Sequence, residues 1–372
     1  MPVTVDKVIN IMETIAPRHL AEDWDNIGLQ IGHPGEKAEN ILITLDINEA
    51  VVNEAISQGI DLIISHHPLI FEPLKTLRFD TPLGKICAEL ISNNIAVYAA
   101  HTNLDRASGG INDVLAHILG LQNTEVLIPG KEEKLFKVVV FVPEGFLEKV
   151  RNALSEAGAG WIGNYSHCTF SVAGKGTFKP LEGTNPFIGT RGKLESVDEY
   201  RLETIVPRQK LKQVISAMIK SHPYEEVSYD VYPLEIEKGN WGIGRIGRLK
   251  SGIMLGWLAE HVKKMLHTDT VKVVGDPGLM ISQIAVCGGA GTFLIDKAKI
   301  KGAQCLITGD LKYHEGQHAR ELGLAVIDAG HYATENLIVP ELALRLKKEF
   351  EAQNISVAIH ESKANVNPWI YL

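Results

Sequence analysis

The chain is poor in cysteine and has no cysteine pairs by spacing. Only Cys87, Cys168, Cys287 and Cys305 occur in 372 residues, and no C-x-x-C is formed. That suits a reducing cytosol and excludes a cysteine zinc cage. No apolar run approaches the roughly 20 residues of a membrane span. The start, Met1-Pro2-Val3-Thr4-Val5-Asp6-Lys7, has none of the features of a signal peptide. Positive charge is not in excess either. A formal net charge of −8 argues against general nucleic-acid binding. The expectation is a cytoplasmic protein with neither membrane nor nucleic acid as partner. With 45% hydrophobic and 22% charged residues, the chain is ordinary globular material that can bury a large core without disulfides. Its length predicts two to three domains.

Periodicity supplies the organisation. Thr4 is placed to cap a first helix carrying Val5, Val8, Ile9, Met12 and Ile15 at helical spacing, with Pro17 ending it. Strands are expected at 41–46, 61–65 and 95–100, and helices at 49–58, 81–92 and 111–119. This βα alternation argues for a mainly parallel sheet covered on both faces. The rhythm changes at the polar connector Pro129-Gly130-Lys131-Glu132-Glu133-Lys134. Residues 136–231 then read as β-α-β-β-α-β, the ferredoxin-like order. A second connector, Glu235-Ile236-Glu237-Lys238-Gly239-Asn240, closes that stretch. Afterwards βα alternation returns, with strands at 283–287, 304–308 and 324–328. Helices follow at 293–301, 311–322 and 334–349, the last kinked by Pro340. The expected fold class is therefore α/β. A discontinuous three-layer domain with mainly parallel sheets (1–130 and 239–372) is interrupted by an α+β insert (131–238).

Polar chemistry collects at the strand ends. Ile63-Ile64-Ser65-His66-His67-Pro68 places two imidazoles where a buried strand meets a loop. The strand at 41–46 ends in Asp46, and His101-Thr102-Asn103-Leu104-Asp105 follows 95–100. Gly288-Gly289-Ala290-Gly291, Gly309-Asp310 and Ala329-Gly330-His331-Tyr332-Ala333-Thr334-Glu335 follow the later strands. A parallel sheet gathers such ends along one edge, where ligands bind. Any one of these loops alone could be chance polarity; all six together are harder to dismiss. His331 and Glu335 are four apart and share a face if one helix holds both. His66, His67, Asp105, His331 and Glu335 give three imidazoles and two carboxylates. That exceeds a three-ligand catalytic zinc site and suits two bridged divalent ions, with Zn, Fe, Mn or Co all compatible and none selected by the donors, Zn being the one most expected to be seen. The glycine loop (Gly288, Gly289, Gly291) reads either as an anion cradle or as a tight turn. His314, beside Asp310, is the candidate proton relay or substrate contact.

Two motifs are decoys. Gly242-Ile243-Gly244-Arg245-Ile246-Gly247 matches G-x-G-x-x-G but opens no expected helix. His314-Glu315-Gly316-Gln317-His318 matches H-E-x-x-H, yet the βαβ surroundings are foreign to zinc proteases, and His66 and His67 would have no role.

Taken together, these residues resemble the NIF-three-like family, dinuclear-metal proteins also called GTP cyclohydrolase 1 type 2 homologs. The resemblance rests on Trp24-Asp25-Asn26-Ile27-Gly28-Leu29-Gln30-Ile31-Gly32, Ser65-His66-His67-Pro68, His101 to Asp105, Cys287 to Gly291, Tyr313-His314 and Asp328 to Glu335. It implies metal ligands at His66, His67, Asp105, His331 and Glu335. It also implies a toroidal homohexamer and a PII/CutA-like insert. The activity it suggests is hydrolytic opening of the GTP purine ring with release of formate. The competing readings are a non-enzymatic, ligand-sensing metal-binding hexamer and another metal-dependent hydrolase such as a phosphoesterase. A nucleotide or other phosphate-bearing small molecule is the expected ligand.

Overall fold

The computed structural model describes residues 3–130, 135–162, 165–235 and 241–370. The parts of the two polar connectors at 131–134 and 236–240 lie outside them. The chain divides into two compact units, one built from Met1–Gly130 with Gly239–Leu372, the other from Lys131–Lys238.

The first segment carries α1 (Val5–Ile15), β1 (Gly28–Ile31), β2 (Asn40–Thr44), α2 (Glu49–Gln58), β3 (Leu62–Ser65) and α3 (Pro82–Ser92). It continues with β4 (Ala96–Ala99), α4 (Thr102–Arg106), α5 (Ile111–Ile118) and β5 (Gln122–Pro129). The 131–238 unit holds β6 (Leu135–Pro143), α6 (Leu147–Glu156), β7 (Thr169–Phe178), β8 (Glu195–Pro207), α7 (Leu211–Ser221) and β9 (Tyr229–Leu234). Then come β10 (Gly242–Met254), α8 (Leu255–Met265), β11 (Lys272–Val274), β12 (Met280–Val286), α9 (Ile295–Ile300) and β13 (Cys305–Thr308). The chain ends through α10 (Tyr313–Glu321), β14 (Ala325–Asp328), α11 (His331–Glu335), α12 (Ile338–Ala352) and β15 (Ala358–Glu361).

Local chemistry sets several of these boundaries. Asn48 caps α2 by accepting from the Val51 N–H, and Thr81 caps α3 by accepting from Gly84, with Pro82 opening that helix. Thr4 sits at the N-cap of α1, but its side chain makes no capping bond.

The larger unit has two sheets. One runs β1-β4-β3-β2-β15, with β4, β3, β2 and β15 parallel and β1 an antiparallel edge. Its central strands are apolar without a break because both faces are covered. Ile41, Ile43, Leu62 and Ile64 pack against α1 and α12, while Leu42, Ile63 and Val97 pack against α2 and α3. The other sheet runs β11-β14-β13-β12-β10-β5. Only β12, β13 and β14 are mutually parallel; β11, β10 and β5 pair antiparallel. The expectation of mainly parallel pairing thus fails for this sheet. β5 begins in polar Gln122-Asn123-Thr124-Glu125, and β10 is dense in glycine, so neither announces itself as a strand. α8 is not among the expected helices either, although Leu255, Leu258, Ala259 and Val262 stand at helical spacing and are buried.

The G-x-G-x-x-G residues lie on β10 and not at a helix start, which disposes of the dinucleotide reading. Gly244 has φ +67°, and a Cβ there would meet the Val286 carbonyl at 3.1 Å and Leu127 at 3.2 Å. Glycine is needed for close strand packing, with no ligand involved. The helix expected over 334–349 is in fact two, α11 and α12. Pro340 sits in the first turn of α12, where its missing N–H costs nothing, so no mid-helix kink arises.

The smaller unit has an antiparallel sheet ordered β7-β8-β6-β9. One face packs on α6 and α7 through Val138, Val140, Val142, Leu202 and Val206. Among the described residues, no helix is long and apolar enough to cross a membrane.

Arg245 joins the two segments of the larger unit. It is 1% exposed, yet all five of its N–H donors are used. Nε and one terminal nitrogen grip the Asp113 carboxylate at 2.5 and 2.7 Å; the carbonyls of Gly242, Gly244 and Ala107 take the rest. Asp113→Ala leaves that guanidinium buried without its counter-charge. We expect a loss of about 3–5 kcal/mol in urea unfolding; a change under about 1 kcal/mol would deny Arg245 this role.

Candidate metal centre

Three strands of the first sheet end at one point. The ladder continues past Ser65, because the His66 and His67 N–H groups donate to the carbonyls of Thr44 and Leu45. The chain then leaves the sheet at Pro68, so the two adjacent rings come together with centroids 4.8 Å apart and do not diverge across a pleat. Hydroxyls tie off the turns: Ser65 Oγ donates to the His67 carbonyl and Thr44 Oγ1 to that of Asp46. His101 follows β4, and Asp105 lies one turn into α4. From the second sheet, β14 leads through Gly330 to α11, which carries both His331 and Glu335.

The structure brings the five expected residues together and adds a sixth. Ligand atoms of His66, His67 and His101 lie within 4.8 Å of one another, as do those of His67, His331 and Glu335, and those of His66, Asp105 and Glu335. Glu335 is central and 4% exposed. Its Oε2 lies 3.0 Å from both His67 Nε2 and His331 Nε2; its Oε1 lies 3.9 Å from His66 Nε2. Asp105 Oδ1 is 3.7 Å from that same His66 nitrogen.

All four imidazoles are held the same way. His66 Nδ1 donates to the Ala100 carbonyl at 2.9 Å, and His67 Nδ1 to Asp46 at 2.8 Å. His101 Nδ1 donates to Asp25 at 2.9 Å, and His331 Nδ1 to Asp310 at 2.7 Å. Each acceptor can only accept, so Nδ1 carries the proton and Nε2 faces the centre. Outer acceptors of this kind fix metal-binding histidines. Two of the inward atoms, His66 Nε2 and Glu335 Oε2, are buried without a hydrogen-bond partner. The 3.0 Å approaches to Oε2 therefore lack hydrogen-bond geometry. Lone pairs and carboxylates converging at a largely buried point repel unless positive charge lies between them.

Without an ion, protons supply that charge. Burial opposes protonation of His67, but Asp46 and Glu335 outweigh it and lift its pKa to about 10. Glu335, assisted by Asp310 and opposed by burial, lifts His331 to about 9. Burial works to raise Glu335, yet the surrounding imidazoles hold it well below the usual carboxylate range. Burial raises Asp105, with His66 opposing.

The remaining expected residues fall as follows. Asp310 has φ +56°, which turns its carboxylate onto His331. The Gly288, Gly289 and Gly291 N–H groups are spent on Asn112, Thr334 and Thr308, leaving none of the three for an anion. Gly289 is needed for another reason, since a Cβ there would lie 2.1 Å from Glu335 Oε1. His314 is exposed on α10, with Nδ1 on Gln317. His318 instead pairs with Asp296, so H-E-x-x-H assembles no site.

Sequence reasoning misses His101 as a ligand, although His101 and Asp105 repeat the four-residue spacing of His331 and Glu335. It also misses what Trp24-Asp25-Asn26 and Gln30 do. Asp25, fully buried, grips His101 and the Thr102 N–H. Asn26 and Gln30 hold the Ile70 backbone. Trp24 and Phe71, both exposed, pack edge-on 5.8 Å apart and lie 6.2 and 6.4 Å from the His101 ring.

His67 and His331 ordinarily titrate near 6.5, so their extra stability in metal-free protein is complete below that pH and is lost as pH rises through about 9 and 10. The Tm of chelator-treated protein should fall from pH 7 to 10, while metal-loaded protein resists the fall. A chelated protein whose Tm rises across that window would contradict these ion pairs.

Comparisons with known proteins agree along the chain. The Duf34/NIF3 (NGG1p interacting factor 3) family pattern matches residues 3–368. A Bacillus subtilis protein named GTP cyclohydrolase 1 type 2 homolog is 47% identical over 366 residues, 98% of each chain. A Mycobacterium tuberculosis protein of the same name is 37% identical over 99% of this chain and 97% of its own. The crystal structure of a Bacillus cereus protein related to NIF3 superposes with a TM-score of 0.77 at 47% identity, covering 100% of both chains. A Staphylococcus aureus crystal structure gives 0.79 at 29% identity, covering 100% of this chain and 99% of that one. With ligand-competent side chains converging from both segments and matches spanning almost every residue, this chain belongs to the DUF34/NIF3 family.

Proposed function

We propose that the cluster binds two divalent metal ions bridged by Glu335, and that the protein uses them to hydrolyse a guanine nucleotide. The observation that carries this reading is the shared orientation of four imidazoles, each with Nδ1 tied outward and Nε2 aimed at one buried carboxylate. His66, Asp105 and Glu335 Oε1 form one set; His67, His331 and Glu335 Oε2 form the other, with His101 in reach of His66 and His67. Nitrogen and oxygen donors suit Zn, Fe, Mn or Co without choosing among them. Bound there, such ions would supply Lewis acidity and lower the pKa of water.

The protein's own residues do the rest. Asp25, Asp46 and Asp310 keep the imidazole tautomers fixed. Trp24 and Phe71 offer exposed aromatic faces beside His101 on which a purine can stack. That lip, with the relatives' printed name, favours a nucleotide over a simple phosphoester. The reaction in view is hydrolysis at C8 of guanine: one water adds there and the C8–N9 bond breaks to leave a formamide on N7, and a second water then breaks the C8–N7 bond, freeing formate and leaving the amine protonated. His314, exposed four residues beyond Asp310, is the proton carrier we assign. The toroidal homohexamer and the PII/CutA-like character of 131–238 belong to the same proposal; the sheet order β7-β8-β6-β9 supports the latter.

The test is formate release from GTP by protein carrying its native metal, beside a known cyclohydrolase. Trp24→Ala should weaken substrate binding by about 5- to 150-fold, the 1–3 kcal/mol of one stacked base, with bound metal unchanged. His66→Ala with His67→Ala should remove both metal and turnover. Metal-replete protein that releases no formate would sink the GTP reading. It would then favour a metal-binding regulator or, if phosphoesters are cleaved, a phosphoesterase.

A further inference from the structure

The 131–238 unit covers only one face of its sheet with helices. On the other face Phe141, Val172, Glu199 and Arg201 line a cleft together with residues from 179–188 of the connection between β7 and β8, and Val172 and Arg201 stay exposed. The cleft is half open and has a volume of about 900 Å³. That is at the upper end of small-molecule sites. Long connections without regular structure in compact units are commonly binding loops. This one is pinned, because the Asn185 N–H donates to Glu225 at 2.8 Å. Its Phe187 ring packs edge-on against Phe146 at 5.5 Å and lies 6.4 Å from Tyr224.

Of the charged groups that line it, Glu199 alone is buried. Glu199 is 9% exposed and lines it. Its Oε1 accepts from the Tyr224 hydroxyl at 3.0 Å; Oε2 has no hydrogen-bond or ion-pair partner among the described residues. Oε2 lies over Gly176, where a Cβ would be only 2.0 Å away, so the glycine keeps room for the carboxylate. Burial and the Glu199 charge hold Tyr224 protonated, so it stays a donor. His222 fixes Tyr224 in turn, its Nδ1 accepting from the Tyr224 N–H and its Nε2 bonded to the Phe141 carbonyl.

Charge around the cavity is unbalanced. Lys175 and Arg201 are committed to Asp198 and Glu203. Against Glu182, Glu199, Glu225 and Glu226, only Lys179 remains a cation without a carboxylate partner among the described residues. A carboxylate only 9% exposed, with one oxygen held by Tyr224 and the other open to the cleft, beside a Tyr224 ring that neighbours Phe178 and Phe187, is the chemistry that selects ammonium groups, through charge and through aromatic faces.

We infer that the 131–238 unit carries a binding site for a small organic cation with an apolar or aromatic body, with Glu199 as its counter-ion. This site is made from residues of that unit alone and is independent of the metal centre's chemistry.

Three near-isosteric probes test it on the full-length protein by isothermal titration and ligand-observed NMR: phenethylamine, 2-phenylethanol and 3-phenylpropionate. The amine should bind about tenfold or more tighter than the alcohol, and the carboxylate weakest. Glu199→Gln, which keeps the side chain's shape, should bring the amine down to the alcohol's affinity and leave the alcohol's within about twofold. Phe187→Ala, at an exposed ring, should weaken amine and alcohol alike and serves if Glu199→Gln does not fold. Equal binding of amine and alcohol, preference for the carboxylate, indifference to Phe187→Ala, or no saturable binding at millimolar concentration would each overturn the inference.

Discussion

The structure turns on a carboxylate with two faces. Glu335 lies buried between two sets of side chains, and its oxygens serve different sets. A charge so placed is expensive unless compensated. The compensation comes from imidazoles that cannot rotate away, because each Nδ1 is held from outside. Much of the surrounding fold follows from keeping Glu335 there. Gly289 gives the backbone room beside its carboxylate, and Thr334 fastens that glycine by accepting from its N–H. Arg245 locks β10 of the second segment to Asp113 of the first. The site draws from both segments, so the halves must be joined for it to exist.

The insertion of 131–238 is compatible with this economy. Pro129, at the end of β5, is register partner to Gly242, at the start of β10. The chain leaves and returns at neighbouring strand ends, so the sheet need not yield for the extra unit. Arg245 lies three residues into β10, close to the splice, and anchors the returning strand at once.

The sequence was readable where one physical rule acted alone. Apolar runs bounded by turn residues give β2, β3, β4, β13 and β14 nearly to the residue, whereas the one cap read from sequence, Thr4, makes no capping bond and the capping bonds of Asn48 and Thr81 appear only in the structure. Five cluster residues were visible as strand-end chemistry. His101 stands at a strand end too, with the same four-residue spacing to Asp105 as His331 has to Glu335, but its place beside His66 and His67 shows only in space. Where two rules compete, pattern fails. β10 is strand by pairing but glycine-rich by packing need, and β5 begins with polar residues. The outer acceptors Asp25 and Asp46 lie 76 and 21 residues from the rings they hold, so no local pattern reveals them. The glycine loop at 288–291 illustrates the opposite error: its composition suggested an anion cradle, but its N–H groups are occupied within the fold.

Elemental analysis of protein purified with its native metal, set beside Glu335→Ala, decides whether two ions share Glu335 as proposed. Two divalent ions per chain, both lost in the variant while the fold is retained, is the predicted result, because each set loses a ligand at once. A native protein with fewer than two ions, or a variant that keeps one tightly bound, would contradict a shared carboxylate.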